Sequence, residues 1–261
     1  MRKTSGAEAR LLRLARMQEL VHANGPLPLK AAAQALNVTE MTVRRDLAAI
    51  DAPLSCLGGY VLAATLPASE KYSLDIAGDE HAPNKRLACE RAAQFVEEGD
   101  CIFVDCGTTM AQFAEALPTG KSLSVVCYSL NVANILSRRP NIQLMLMGGL
   151  YNASSATFYS DDAVQYLERL GVNKAFISAG GVQTDRGVSC SNFHEVPVKQ
   201  AAMRVATERF LVIDESKLGR VRPAFFGPLD GFSQIIVGGA VPSGLRKLFK
   251  EMPLLTVPAS G

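Results

Sequence analysis

No apolar run in this 261-residue chain reaches the ~18 residues needed to cross a bilayer, so no membrane partner is expected. The N-terminus also lacks the apolar core of a secretory signal, and a cytoplasmic location is expected. There is no CxxC pair and there are only three His, which removes the usual zinc arrangements, so neither a metal nor a cofactor is expected. The six Cys (Cys56, Cys89, Cys101, Cys106, Cys127 and Cys190) are scattered and several fall inside apolar runs. That pattern reads as reduced, buried thiols. Neither sign of charge dominates: 27 Lys and Arg stand against 25 Asp and Glu, for a net charge of +2. A nucleic-acid surface, if one exists, must therefore be local. Internal repeats and low-complexity tracts are absent as well. What the chain does have is a 48% hydrophobic composition, enough for a small domain and a medium one.

The stretch Thr39-Glu40-Met41-Thr42-Val43-Arg44-Arg45-Asp46-Leu47 reads as the second helix of a helix-turn-helix. An Ala-rich helix at 29–36 precedes it, and Asn37 suits a left-handed turn. Thr39 can accept a backbone N–H and cap the second helix. Met41, Val43 and Leu47 are read as its buried side. Thr39, Glu40, Thr42, Arg44 and Arg45 are then the residues offered to DNA, since an exposed helix start with Thr and paired Arg suits the phosphates and base acceptors of a major groove. A first helix over 8–23 carries Leu14, Met17, Leu20 and Val21 at helical spacing. Two short apolar runs around Gly58-Gly59, at 54–57 and 60–62, read as a hairpin. Three helices and then a hairpin is the order of a winged helix-turn-helix; an ordinary three-helix bundle with an unrelated loop is the bland alternative.

Residues 63–83 lose periodicity and read as a linker. From 84 onward helices alternate with continuous apolar strands: helices at 84–97, 109–117, 131–138, 161–170, 197–207 and 243–250, strands at 101–104, 124–127, 143–147, 174–179, 210–214 and 234–238. Continuous apolar strands between helices predict an α/β domain with a mostly parallel sheet covered on both faces.

Ligands of open α/β sheets bind beyond the carboxyl ends of the strands. Several such ends carry small or polar residues. Asp105-Cys106-Gly107-Thr108-Thr109 joins a strand to a helix: Gly107 allows close backbone approach, the helix start and the hydroxyls of Thr108 and Thr109 favour a phosphate, and Asp105 suits sugar hydroxyls. Ser129 and Asn131 occupy another such turn, and Gly181 ends Ser178-Ala179-Gly180-Gly181. Glu195 and Lys199 lie one helical turn apart, and Lys217 follows the strand ending at Asp214. Each has a bland reading too: a capped turn at 105–109, a plain helix cap at Ser129 and Asn131, an exposed i,i+4 pair at Glu195 and Lys199. Agreement among the loops on one sheet edge favours a pocket for a small phosphorylated polyol.

The helix-turn-helix stretch resembles the signature of DeoR-type transcriptional repressors. Asp105 to Thr109, Glu195-Val196-Pro197-Val198-Lys199 and Asp214-Glu215-Ser216-Lys217-Leu218-Gly219 are similar to motifs of that family's effector domain. The resemblance covers roughly residues 8–240. It implies a winged helix-turn-helix followed by a domain like the sugar-phosphate isomerase and CoA-transferase fold, without enzymatic activity. Ala52-Pro53, Leu57-Gly58-Gly59-Tyr60, Cys127 to Asn131 and Lys217 to Ala224 further resemble members that control deoxyribonucleoside operons. The implied function is repression of a sugar or nucleoside catabolic operon, with release from operator DNA by a phosphorylated sugar, deoxyribose 5-phosphate foremost. A homo-oligomer is expected as the binding form, because one helix-turn-helix reads only a few base pairs. Two departures stand out. Many members have a basic residue where this chain has Leu57, and many have an acid in the loop that here reads 178–181.

The expected organisation is a DNA-binding domain at 1–62, a linker at 63–83 and a sugar-phosphate-sensing domain at 84–261. The alternative is a sugar-phosphate isomerase with a DNA-binding appendage. Isomerisation needs a base and groups that stabilise an enediolate. Glu195 could serve as the base, yet 178–181 supplies no second acid, and His194 is the one His near the expected pocket.

Overall fold

The structure is a computed structural model and describes residues 6–24, 27–48, 54–57, 59–63, 81–241 and 253–258. The chain forms two compact units, residues 1–71 and 72–261. Nearly all of the expected linker, and the helix expected at 243–250, lie outside the described residues.

In the first unit, helix α1 (Gly6–Asn24) leads through the two-residue strand β1 (Leu27–Pro28) into α2 (Leu29–Ala35). Asn37 then takes the left-handed conformation, with φ +51°, and the chain turns into α3 (Glu40–Leu47). Strands β2 (Leu54–Leu57) and β3 (Tyr60–Ala63) pair antiparallel, and β1 adds to β3 to make a three-stranded wing. Gly59 has φ +84°, the conformation a tight hairpin turn demands. Leu14 and Met17 of α1, Ala32 and Ala33 of α2, Val43 and Leu47 of α3, and Leu54 and Val61 of the wing form one small core.

Met41 does not belong to that core. Its side chain is 73% exposed. Val43, Asp46 and Leu47 form the buried stripe of α3, at the helical spacing of three and four residues. Met41 is two positions from Val43 and so points to the other side. The apolar reading of Met41 overlooked that Asp46, an acid, occupies the inward position.

In the second unit, seven parallel strands run in the order β15-β14-β12-β9-β4-β5-β6. They are β4 (Cys101–Val104), β5 (Leu123–Cys127), β6 (Ile142–Leu146), β9 (Lys174–Ile177), β12 (Glu208–Asp214), β14 (Gln234–Gly238) and β15 (Leu254–Val257). Helices α4 (Ala82–Ala93), α5 (Thr108–Ala116) and α6 (Leu130–Leu136) cover one face, where Phe113, Phe176 and Phe210 meet. Helices α7 (Asp161–Leu167) and α8 (Val196–Val205) contribute to the core on the other. The expected parallel sheet is present, with helix ends a few residues from the expected ones. Six short strands were not foreseen in this unit or its edge. They are β15, the hairpin of β7 (Leu150–Asn152) with β8 (Thr157–Tyr159), and a small antiparallel sheet of β10 (Gly181–Gln183), β11 (Gly187–Cys190) and β13 (Ala224–Gly227). Strands this short carry too few residues for an alternation to show.

Sheet order fixes where a ligand can bind. The chain runs outward from β4 through β5 to β6, then returns to place β9 on the other side of β4 and continues to β12. The strand order therefore reverses between β4 and β9, and the crevice beyond their carboxyl ends is the expected binding position.

Candidate functional site

The residues expected to meet DNA lie on one face of α3. Glu40, Met41, Arg44 and Arg45 are exposed there, and Thr42 is half-buried. Thr39 caps the helix: its hydroxyl accepts from the Thr42 backbone N–H at 3.2 Å and lies 3.0 Å from the Thr42 hydroxyl. Asp46 holds the opposite face. Its carboxylate accepts from Arg13 Nε at 2.6 Å and Arg13 Nη2 at 3.1 Å, while Arg10 Nε donates to its carbonyl at 3.3 Å. The hydrogen bonds to Asp46 raise the Arg13 pKa above its ordinary value. Arg44 Nη1 approaches Cys56 Sγ in the wing at 3.9 Å. The two arginines of the helix thus stand free of the ion pair that anchors it.

The crevice between β4 and β9 is a cleft in the second unit. Gly107, Thr108 and Thr109 form one wall at the start of α5, Ser178, Ala179 and Gly180 another, and Glu195 and Lys199 a third. Lys85, Lys217 and Arg222 also line it. Backbone N–H groups at a helix start, with cations around them, make a place for an anion.

Beneath the cleft sits a buried ion pair. Asp105, fully buried, accepts from Lys199 Nζ at 2.5 Å, the Ser178 N–H at 2.8 Å, the Ser178 hydroxyl at 3.1 Å and the Tyr128 hydroxyl at 2.7 Å. Those bonds occupy the carboxylate, so it has little capacity left for a sugar. Lys199 also donates to the Ser178 carbonyl at 3.1 Å and lies 3.9 Å from Glu195 Oε2. Burial alone would lower the Lys199 pKa, but the carboxylates of Asp105 and Glu195 outweigh it and hold the ammonium charged. Glu195 is only 5% exposed. Burial raises its pKa, against the pull of Lys199 and of the Asn192 amide, which donates to Oε1 at 2.7 Å. The reading of Glu195 and Lys199 as an exposed surface pair is therefore wrong: both side chains are buried. Burial also pushes the Cys106 thiol and the Tyr128 phenol well above their ordinary ranges, so both stay protonated.

Among the residues expected to meet an effector, the structure brings Gly107, Thr108, Thr109, Glu195, Lys199 and Lys217 together around the cleft. Asp105 lies below it. Ser129 and Asn131 lie at the end of β5, where the Ser129 hydroxyl bonds the Asn131 side chain, and neither lines the cleft. Gly181 is also outside it; a Cβ there would stand 2.5 Å from the Arg220 carbonyl oxygen, so close packing accounts for this glycine.

Sequence reasoning missed Lys85, Ser155, Asn192 and Arg222. One signal was available for Lys85. It falls on the same helical stripe as Ala88, Cys89 and Ala92, and a lysine on an apolar face is an anomaly. Arg222 had no such signal, because it is brought in by an irregular loop ahead of β13.

A winged helix-turn-helix with a free Arg-bearing face, followed by a parallel α/β unit with a cation-lined cleft at its switch point, defines a class: a DNA-binding regulator with a ligand-sensing domain. Comparison with known families gives the particular one. The DeoR-like helix-turn-helix domain matches residues 13–65, and the DeoR C terminal sensor domain matches residues 80–239. The deoxyribose operon repressor of Escherichia coli (strain K12) is 41% identical over 226 residues, covering 87% of this chain and 88% of that protein. The HTH-type transcriptional regulator IolR of Bacillus subtilis (strain 168) is 27% identical, covering 87% and 90%. Among solved structures, ribose 5 phosphate isomerase A from Neisseria gonorrhoeae is 22% identical over 53% of each chain, with a TM-score of 0.38. The delta subunit of eIF2B from Chaetomium thermophilum is 13% identical over 62% of this chain and 58% of that one, with a TM-score of 0.45. The chain belongs to the DeoR family. It is a transcriptional repressor and not an enzyme. No helix among the described residues is long and apolar enough to cross a membrane.

Proposed function

We propose that this repressor controls a deoxyribonucleoside catabolic operon and leaves its operator when a phosphorylated sugar, deoxyribose 5-phosphate foremost, fills the cleft. The observation that carries the reading is the meeting of the α5 start with Lys85, Lys217 and Arg222 in one cleft. The phosphate sits on Gly107, Thr108 and Thr109 among these cations. Glu195, held by Asn192, accepts from a sugar hydroxyl. Asp105 acts from beneath by fixing Lys199, and Ser129, Asn131 and Gly181 shape the surrounding turns. The name of the 41%-identical relative, deoxyribose operon repressor, supports the choice of sugar.

DNA is read by Thr39, Glu40, Thr42, Arg44 and Arg45, within a DNA-binding domain at 1–62; a linker at 63–83 joins it to the sensing domain at 84–261. The protein works in the cytoplasm as a homo-oligomer, because one helix-turn-helix reads few base pairs and paired half-sites extend the site. The outer edge of β6, with exposed Met145 and Leu146, is a suitable assembly surface. Release requires that the ligand bind the DNA-free state better than the DNA-bound state.

The test is an operator titration with and without deoxyribose 5-phosphate, using ribose 5-phosphate as the control sugar. A fall in operator affinity of about 5- to 150-fold with the deoxy sugar is expected from typical coupling energies. Unchanged affinity would reject the effector assignment.

A further inference from the structure

Two cations of the cleft stand next to a contact that the cleft itself does not use. Lys85 is on α4, and its neighbour Asn84 donates Nδ2 to Glu215 Oε1 at 2.8 Å, across 131 positions of sequence. Glu215 opens a single turn of 3₁₀ helix whose third residue is Lys217. The residues that would grip an anion are thus one and two positions away from the two ends of a single hydrogen bond.

The same bond lies where the chain enters the sensing domain. His81, the first described residue there, caps α4 in a left-handed conformation with φ +55°. Its Nδ1 is 3.7 Å from Glu215 Oε1. For a residue other than glycine this backbone is sparsely populated, and such outliers gather at switching segments. The contact is also built into the sheet. A Cβ at Gly238 would stand 1.8 Å from the Asn84 carbonyl oxygen, and one at Gly239 would stand 2.1 Å from Glu215 Oε2. The glycines at the end of β14 leave the space that Asn84 and Glu215 fill.

On its other side the turn is capped by Asp214, whose Oδ1 accepts from the Ser216 N–H at 3.0 Å, and Lys217 Nζ donates to the Ser216 hydroxyl at 3.2 Å. Lys217 Nζ is 3.5 Å from Asp214 Oδ2, and that oxygen is buried without a hydrogen-bond partner. Glu215 Oε2 is likewise buried and unbonded. A buried carboxylate oxygen without a hydrogen-bond partner raises the energy of this arrangement, so less is lost when the turn rearranges.

We propose that the Asn84–Glu215 hydrogen bond is a latch that couples anion binding in the cleft to the segment entering the sensing domain. This rests on the effector reading above. An anion draws Lys217 away from Asp214, turns the 215–217 segment, and takes Glu215 off Asn84, freeing the start of α4. The latched state favours operator binding and the unlatched state favours the ligand. Asn84 and Glu215 are positioning residues and do not touch the ligand.

The test measures three quantities for wild type, Asn84→Asp, Glu215→Gln and the double variant: operator Kd, deoxyribose 5-phosphate Kd, and the ratio of operator Kd with and without that ligand. Asn84→Asp sets two carboxylates against each other and opens the latch. Its ligand-free operator affinity should fall toward the value of ligand-bound wild type, and its ratio toward one, with the ligand Kd within about threefold of wild type or tighter. In the double variant the amide introduced at position 215 can donate to the carboxylate introduced at position 84, reversing the polarity of the bond, and the ratio should return. Glu215→Gln is isosteric and keeps a folded comparison in hand; its amide oxygen can still accept from Asn84, so only the charge assistance is lost, and the ratio should fall by less than in Asn84→Asp without loss of ligand affinity. A wild-type ratio in both single variants overturns the proposal. So does a loss of ligand affinity in parallel with the ratio, or a double variant no better than Asn84→Asp. A wild type indifferent to deoxyribose 5-phosphate fails the effector reading itself, and the latch falls with it.

Discussion

The two units of this chain place the charges of their candidate sites in opposite ways. In the first, Arg44 and Arg45 stand in solvent on α3, and the structural charge, Asp46, is turned inward and paired with Arg13. In the second, the charges of the candidate site are turned inward: Asp105, Glu195 and Lys199 are all buried. A surface that reads a large polyanion needs exposed, solvated cations, and counterion release supplies much of the affinity. A site that recognises a small ligand works by burial, where each hydrogen bond is stronger and each missing one costs more. A substitution should therefore separate stability from function in the first unit and entangle them in the second.

The largest test of that contrast is Lys199→Met. Removing the ammonium leaves Asp105 buried and short of its main charge partner. A broken buried pair typically costs ~3–5 kcal/mol. Denaturant unfolding of the second unit should show a loss of this size, and Lys199→Met combined with Asp105→Asn should recover part of it. A single variant as stable as wild type would show that the pair is not integral to the fold.

The contrast also explains what the sequence allowed to be read. The recognition helix was legible because its signals are local: Asn37 for the turn, Thr39 for the cap, and an Arg pair on a short helix. Where the reading erred, at Met41, it judged a residue by type and not by its angle from Val43. In the second unit the long central strands were legible as continuous apolar runs, and the loops at their ends lie at the edge of the sheet where the cleft is found. Which of those loop residues face the cleft was not legible. Asp105 and Thr108 are three residues apart, yet one lies under the floor and the other forms the wall. That difference depends on Tyr128, Ser178 and Lys199, which come from three other places in the chain.

A smaller effect should appear with pH, again in the second unit. His194 Nε2 lies 3.1 Å from the Thr157 hydroxyl and 3.4 Å from that of Ser155, and burial pushes its pKa down to about 4. Its unfolded-state value is near the ordinary ~6.5 for histidine. The folded state therefore favours the neutral ring. The stability this contributes is fully present above pH ~6.5 and is lost as the pH falls toward 4, because the unfolded chain takes up the proton first. The shift corresponds to ~3 kcal/mol at most. Urea unfolding followed across this range should show the loss, and His194→Gln should flatten that part of the profile. A profile of unchanged slope in the variant would assign the acid sensitivity to other groups.

The smallest effect on stability, and the sharpest separation from function, belongs to the exposed face of α3. Arg44→Ala and Arg45→Ala should each change stability by no more than ~0.5 kcal/mol, the usual range for surface positions. Each should weaken operator binding, by ~1–3 kcal/mol where the guanidinium reads a base. Met41 lies one helical turn ahead of both arginines, 73% exposed on the same face. Met41→Ala should leave stability unchanged or slightly raised, since alanine has the higher helix propensity and no core contact is lost. Its effect should appear only in operator affinity, because an apolar side chain on that face is placed to meet a thymine methyl. Thermal unfolding of the first unit and an operator titration, run on the same three variants, decide the matter. If Met41→Ala destabilised the unit by as much as a core truncation, ~2–5 kcal/mol, the helix would have to be turned about its axis and the contrast between the two units would lose its clearest example.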